Sequence, residues 1–275
     1  MFAGRNRRLI LIACMALILA IAAAFFASAE VLMPEASGKD VKKNGELNVD
    51  CSHMDQGYVM IKSKKGKKKL KLRIGKSKDT ILNYDLNSDG EYEAYPLQFG
   101  SGKYQIILYK QASGKKYSEE GKVVINAQME DELSAFLYPN QYVNYTPETE
   151  CVVTAGEICS GMTDQADIYK TVCDYIKTHF VYDFVKSVSV KSGVLPDIDG
   201  CWKNHMGICQ DLSAVTCAML RSQGVPARLM IGTLGANTYH AWVVAVVNGK
   251  DTFFDPTAEL NASSKTETYT TERYY

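Results

Sequence analysis

The stretch from Gly207 to Pro226 constrains the fold most, because it marks both ends of one helix and the start of the strand that follows it. From Gln210 to Gln223, the residues Leu212, Val215, Met219 and Leu220 recur at helical spacing and predict a buried stripe. Gly224 takes the position just past the helix end, and Pro226 forbids continuation. Ala227 to Gly232 then reads as a strand, with Leu229 and Ile231 on one face. Trp242–Val247 and Thr252–Asp255 read as two more, and Asn248-Gly249 between them is the strongest short hairpin signal. An earlier helix is expected over about 163–180, with Ile168, Val172, Tyr175 and Ile176 on one face and Thr163 or Asp164 as cap. His179 falls near that face and reads as a packing histidine. Helices first and an antiparallel sheet after them make an α+β domain over 161–275.

The chain before this domain has a different period. Leu70, Leu72 and Ile74 alternate with Lys69, Lys71 and Arg73, the pattern of a strand with one wet face. Further β runs lie at Tyr58–Ile61, Tyr104–Tyr109 and Val123–Ile125, separated by turn signals at Asn87-Ser88-Asp89-Gly90, Gly100-Ser101-Gly102 and Ser113-Gly114. They predict a small all-β, sandwich-like module over 56–130, and the lysines around Gly66 suit a hairpin tip. Those lysines read as a solvated face that guards a sheet edge. Asp85, Asn87, Asp89 and Gly90 fall in the order of a calcium loop, but its closing carboxylate would be Pro96. Residues 30–55 are polar and weakly patterned and read as a linker; 131–160 read as a bridge.

Residues 1–29 read as a signal peptide or membrane anchor. Arg5, Arg7 and Arg8 precede an uncharged, mostly apolar run from Leu9 to Ala29, ending on Ala27-Ser28-Ala29, a small-residue cleavage pattern. Uncleaved, the run is about long enough to cross a bilayer of roughly 30 Å. Leu11-Ile12-Ala13-Cys14 resembles a lipoprotein box, but the apolar run continues past Cys14. Each reading puts the remainder outside the cytoplasm, secreted or held at the outer face of the membrane. A formal net charge of zero gives no reason to expect nucleic acid as partner. Cysteines 51, 151, 159, 173, 201, 209 and 217 are an odd number, so an exported chain keeps at least one free thiol. Cys173 and Cys217 read as small buried hydrophobes.

The chemistry gathers around Cys209. It opens a helix, where unpaired N–H groups and the dipole favour a thiolate and offer an oxyanion site. A two-residue turn at Asn248-Gly249 sets Asp255 opposite Trp242 and Thr257 opposite His240. His240 and Asp255 then become diagonal neighbours on one face, roughly 7–8 Å apart at the backbone. A four-residue loop preserves the shared face and a three-residue loop breaks it. Thiol, imidazole and carboxylate are the parts of a nucleophile, its base and the base's orienter. Tyr239 and Trp242 flank His240 as candidate substrate contacts. Trp202 either walls the same site or packs as a core or lid residue. Asp211 and Arg228 read as structural, through helix-start charge and ion pairing. Cys201, His205 and Cys209 are spaced by four, but Gly207 interrupts any helix between them and a fourth metal ligand is not evident.

Four blocks carry a resemblance. Gly207-Ile208-Cys209-Gln210-Asp211-Leu212-Ser213-Ala214, Met219 to Arg228, His240-Ala241-Trp242 and Asp255-Pro256-Thr257 are similar, in order and gaps, to bacterial transglutaminase-like domains, over roughly 160–260. The resemblance implies a papain-like α+β core with Cys209 as nucleophile, His240 as base and Asp255 as orienter, and no metal or organic cofactor. It implies acyl transfer from a peptide or glutamine carboxamide through a thioester, on extracellular or wall-associated peptide or protein. The same triad serves cysteine peptidases and amidases, and the family also contains members without demonstrated activity, for which a scaffold or adhesion role is the expectation.

Overall fold

The structure, a computed structural model, describes residues 30–261 and 268–275. The expected N-terminal targeting segment lies outside the described residues. Among the described residues, no helix is long and apolar enough to cross a membrane.

The N-terminal half is a sandwich of two four-stranded antiparallel sheets. One runs β1 (Val41–Asn44), β2 (Leu47–Asp50), β3 (Tyr58–Lys62) and β6 (Glu93–Pro96). The other has the order β5 (Ile81–Leu86), β4 (Leu70–Gly75), β7 (Gly102–Ser113) and β8 (Lys116–Ala127). The alternation predicted for β4 is present: Leu70, Leu72 and Ile74 are buried and Lys71 and Arg73 are half-buried. They meet Val49, Ile61, Ile106 and Val123 in one continuous core.

Two expectations are corrected here. The polar segment read as a linker contributes β1 and β2, because Leu47 and Val49 supply inward apolar residues too short a run to show in the sequence pattern. That hairpin lies close on β8: a side chain at Gly121 would meet the Asn44 carbonyl at 2.1 Å, so glycine is required there. The lysine-rich segment around Gly66 is no hairpin tip, since β3 and β4 belong to different sheets. It crosses between them, with Gly66 N–H donating to the Ser88 carbonyl at 2.7 Å.

The second half holds α1 (Glu150–Ile158), α2 (Gln165–His179), α3 (Phe184–Ser189), α4 (Ile198–Asn204), α5 (Cys209–Ser222) and α6 (Pro256–Leu260). It also holds a parallel pair, β9 (Val181–Tyr182) with β10 (Met206–Gly207). An antiparallel sheet runs β13 (Lys250–Phe254), β12 (Thr238–Val247), β11 (Ala227–Leu234) and β14 (Tyr269–Tyr274). Residues 211–222 of α5 are all buried, so this helix is the centre of the domain, not an amphipathic surface helix. α2 starts where Asp164 accepts from Ala166 and Asp167 N–H. His179 is exposed and stacks on Tyr175, 3.9 Å between centroids, so it covers the end of α2 without entering the core.

The bridge after the sandwich, which includes α1, joins the halves. Arg221, 1% exposed, donates to the carbonyls of Tyr138 in the bridge, Ala227 in β11 and Tyr275 after β14. Tyr142 stacks on Tyr275, and Tyr84 of the sandwich meets Tyr275 edge-on at 5.7 Å.

Candidate active site

Cys209 is the first residue of α5, after Ile208 with extended backbone. Gly207 must be glycine, since a side chain there would meet Cys201 Sγ at 2.6 Å and Asp211 Cβ at 3.0 Å. Asp211, fully buried, fixes this corner. It accepts from the N–H of Ile208 at 3.1 Å, from the N–H of Asp197 at 3.0 Å and from Lys186 Nζ at 2.7 Å. One carboxylate thus satisfies a helix-start donor and ties α3 and the residue that caps α4 to the start of α5.

The hairpin that carries the other two groups has the two-residue turn. Val247 pairs with Lys250 and Val243 with Phe254, and Asn248 and Gly249 both have positive φ, 49° and 76°. The ladder ends at Phe254, and Asp255 leaves it to cap α6, accepting at Oδ1 from Thr257 and Ala258 N–H. Its Oδ2 faces His240 Nε2 at 2.8 Å and accepts from the Tyr269 hydroxyl at 2.7 Å. An ionised carboxylate only accepts, so His240 Nε2 carries a proton. Cys209, at the start of α5, lies close enough to His240 for its side chain to raise the imidazole's pKa. Thiol, imidazole and carboxylate therefore come together.

The electrostatics follow from that geometry. Burial opposes a charge on His240, yet the hydrogen bonds and fields of Asp255 and Cys209 outweigh it and push its pKa up to about 9. Burial likewise opposes ionisation of Asp255, but the His240 contact holds its carboxyl below the usual range. All seven described cysteines are free thiols. Six are buried, Cys173 and Cys217 among them as expected, and burial raises each of the six; Cys209 alone is partly exposed.

The remaining candidates separate. Tyr239 is half-exposed, close enough to Cys209 to feel its charge, and its hydroxyl accepts from Arg273 at 2.6 Å. Trp242 is 2% exposed, lies 6.2 Å from the His240 ring and meets Tyr269 edge-on. It backs the imidazole, and its burial corrects the expectation of a substrate contact. Trp202 is buried among Tyr175, Phe180 and His205, which corrects its placement at the site. Arg228 pairs with Asp251 and lies over the Phe136 ring. Cys201, His205 and Cys209 do not assemble: among the described residues no three side chains of metal-ligating type come together.

Three neighbours were not visible in the sequence. Tyr269 follows a Ser/Thr-rich stretch without pattern, and Lys186 lies in a segment that reads as irregular. Tyr182 sits opposite Gly207 in the β9–β10 pair, where burial and then the Cys209 charge push its phenol up.

Residues 153–256 match the model of the Transglutaminase-like superfamily. No curated protein matches the chain in sequence. Among solved structures, the chain is similar to a candidate cysteine protease from Cytophaga hutchinsonii, with 13% identity, TM-score 0.40, and 79% of this chain and 91% of that one covered. The periplasmic domain of TgpA from Pseudomonas aeruginosa has 14% identity and TM-score 0.38, covering 87% and 84%. Red sea bream transglutaminase has 12% identity and TM-score 0.30, covering 73% and 48%.

Proposed function

We propose that the protein, whose residues 153–256 match the model of the Transglutaminase-like superfamily, is a thiol acyltransferase acting on peptide carboxamides outside the cytoplasm. The observation that carries this is the grouping of Cys209, His240 and Asp255, with His240 Nε2 held on Asp255 at 2.8 Å and Cys209 close enough to act on the imidazole. The Cys209 thiolate attacks the carbonyl carbon of a glutamine-type carboxamide. The carbonyl electron pair moves to oxygen, and N–H groups of the first turn of α5 stabilise that oxyanion. As the tetrahedral intermediate collapses, the C–N bond breaks, His240 gives its proton to the departing amine, and a thioester remains. An incoming amine, or water, loses a proton to His240 as it attacks, and the thiolate leaves. Asp255 keeps the imidazole oriented throughout. The arginine-led apolar N-terminus supports export.

The test uses protein from Glu30 onward and a Cys209→Ala variant, each with a glutamine peptide and a tagged primary amine, read by mass spectrometry. Amine incorporation lost in the variant supports the acyltransferase. Deamidation or chain cleavage lost in the variant identifies a hydrolase on the same triad. Products identical in both proteins refute catalysis by Cys209 on this substrate class.

A further inference from the structure

Helix α3 is built inside out. Its lysine points inward: Lys186 Nζ lies 2.7 Å from Asp211, which is fully buried at the start of α5. Its apolar residues point outward: Phe184 is 67% exposed, Val185 78% and Val188 88%. The inversion is also fixed at the N-terminus, where the Asp183 side chain caps α3 by accepting from Lys186 N–H. A helix stabilised by core packing would turn Phe184 and Val185 in and Lys186 out. Scattered exposed apolar residues are ordinary, but a contiguous set held outward while the half-buried Lys186 is tied to a buried carboxylate is a prepared surface.

This surface lies near the start of α5. Phe184, Val185, Tyr182 and Met206 line a groove of about 550 Å³, with Asp183, Lys186 and Ser189 completing its lining. β9 and β10 form its edge, and Asp183 N–H donates to the Gly207 carbonyl at 3.0 Å. Gly207 is two residues from Cys209, and Tyr182 lies within the field of both Cys209 and Asp255. The β9–β10 pairing therefore sets one wall of the groove, Tyr182, beside Gly207, two residues ahead of the thiol, so the groove offers apolar walls near the carboxamide of a peptide that reaches Cys209.

We propose that the α3 groove selects acyl donors by seating an apolar side chain next to the residue that bears the reacting carboxamide. This rests on the acyl-transfer reading for its chemistry, but the binding step can be measured without turnover. Two fluorescein-labelled, acetyl-capped peptides are compared, each with one central glutamine flanked on both sides by leucine or by serine. Anisotropy is followed with the Cys209→Ala protein, then with Val185→Lys and Phe184→Ser added in turn. Both substituted side chains are exposed, so folding should be retained, with thermal melts as the check.

The expected result is leucine-peptide binding at least tenfold tighter than the serine peptide, a preference lost in both variants and kept in Val185→Leu. Equal binding of the two peptides, binding of neither, or a preference that survives Val185→Lys overturns the proposal. So does an unchanged peptide preference alongside vesicle binding or dimer formation that Val185→Lys abolishes, since the face would then serve a membrane or a second copy. Failure of amine incorporation by the unsubstituted protein would refute the acyl-transfer reading alone and leave this binding result standing.

Discussion

His240 Nε2 donates to Asp255 Oδ2 across 2.8 Å, while Oδ1 of the same carboxylate caps α6 through Thr257 and Ala258 N–H. One buried side chain thus orients the imidazole and starts a helix, and two substitutions should divide the roles. In Asp255→Asn an amide oxygen can still cap α6, but the charge opposite His240 is gone. We expect stability at neutral pH to fall by part of the His240 contribution, and a loss of acyl transfer on the order of 10²–10⁴-fold. In Asp255→Ala the cap is lost as well, at about 1–2 kcal/mol, so stability falls further. Equal activity in Asp255→Asn and the parent protein would show that the carboxylate has no catalytic role.

The raised pKa of His240 predicts the pH dependence. In the unfolded chain a histidine titrates near 6.5, and in the fold His240 holds its proton to about 9. The contact with Asp255 and Cys209 therefore stabilises the fold fully below about pH 6.5, and this stabilisation is lost as pH rises through about 9. The shift corresponds to something on the order of 3 kcal/mol. Asp255 belongs to the same contact; its lowered pKa means stability present above about pH 4 and lost on further acidification. Urea unfolding of the parent protein should weaken between pH 6.5 and 9.5, and that slope should be absent in His240→Gln. Parallel profiles for the two proteins would contradict the assignment.

The hairpin register shows why this part of the site was legible. Asn248-Gly249 admits one tight turn, and a tight turn places His240 and Asp255 on the same face whatever packs beneath them. Local chemistry settled a long-range relation, because strand pairing is a rigid ruler. Cys209 was legible for a similar reason, since the helix it opens has its stop written at Gly224 and Pro226. Trp202 and Trp242 were misplaced because an aromatic residue near a reactive group in sequence has two faces to choose from, and tertiary packing chooses. α3 was invisible because its polarity is reversed: a helix that turns its lysine in to Asp211 and exposes valine carries no apolar stripe to detect.

Cysteine burial makes a prediction about labelling. Six thiols are enclosed, and burial pushes Cys51 and Cys159 up to about 11 and Cys151, Cys173 and Cys217 up to about 12. At neutral pH these remain protonated and shielded, while Cys209 is partly exposed at a helix start beside an imidazole. Iodoacetamide at pH 7 should modify Cys209 at least tenfold faster than any other cysteine, by peptide mapping. The rate should fall in His240→Gln. Uniform slow labelling of all seven would favour a domain that keeps the fold without a working thiol.

Arg221 makes the last prediction, because its guanidinium is buried and its partners are carbonyls from three segments. Burial opposes its charge and lowers its pKa, so the carbonyl dipoles of Tyr138, Ala227 and Tyr275 have to hold it. Arg221→Met fills a similar volume but removes that donor from three buried acceptors, of which Tyr275 keeps the Leu229 N–H. At about 1 kcal/mol or more for each of the other two, the loss should be roughly 2 kcal/mol or above. The residue lies at the far end of α5 from Cys209. If it acts only by clamping the bridge and β14 to that helix, chemical denaturation should show the full loss while Cys209 alkylation at low temperature stays within about twofold of the parent rate. A variant as stable as the parent would mean that the Tyr138 and Ala227 carbonyls find other donors and that the clamp is dispensable.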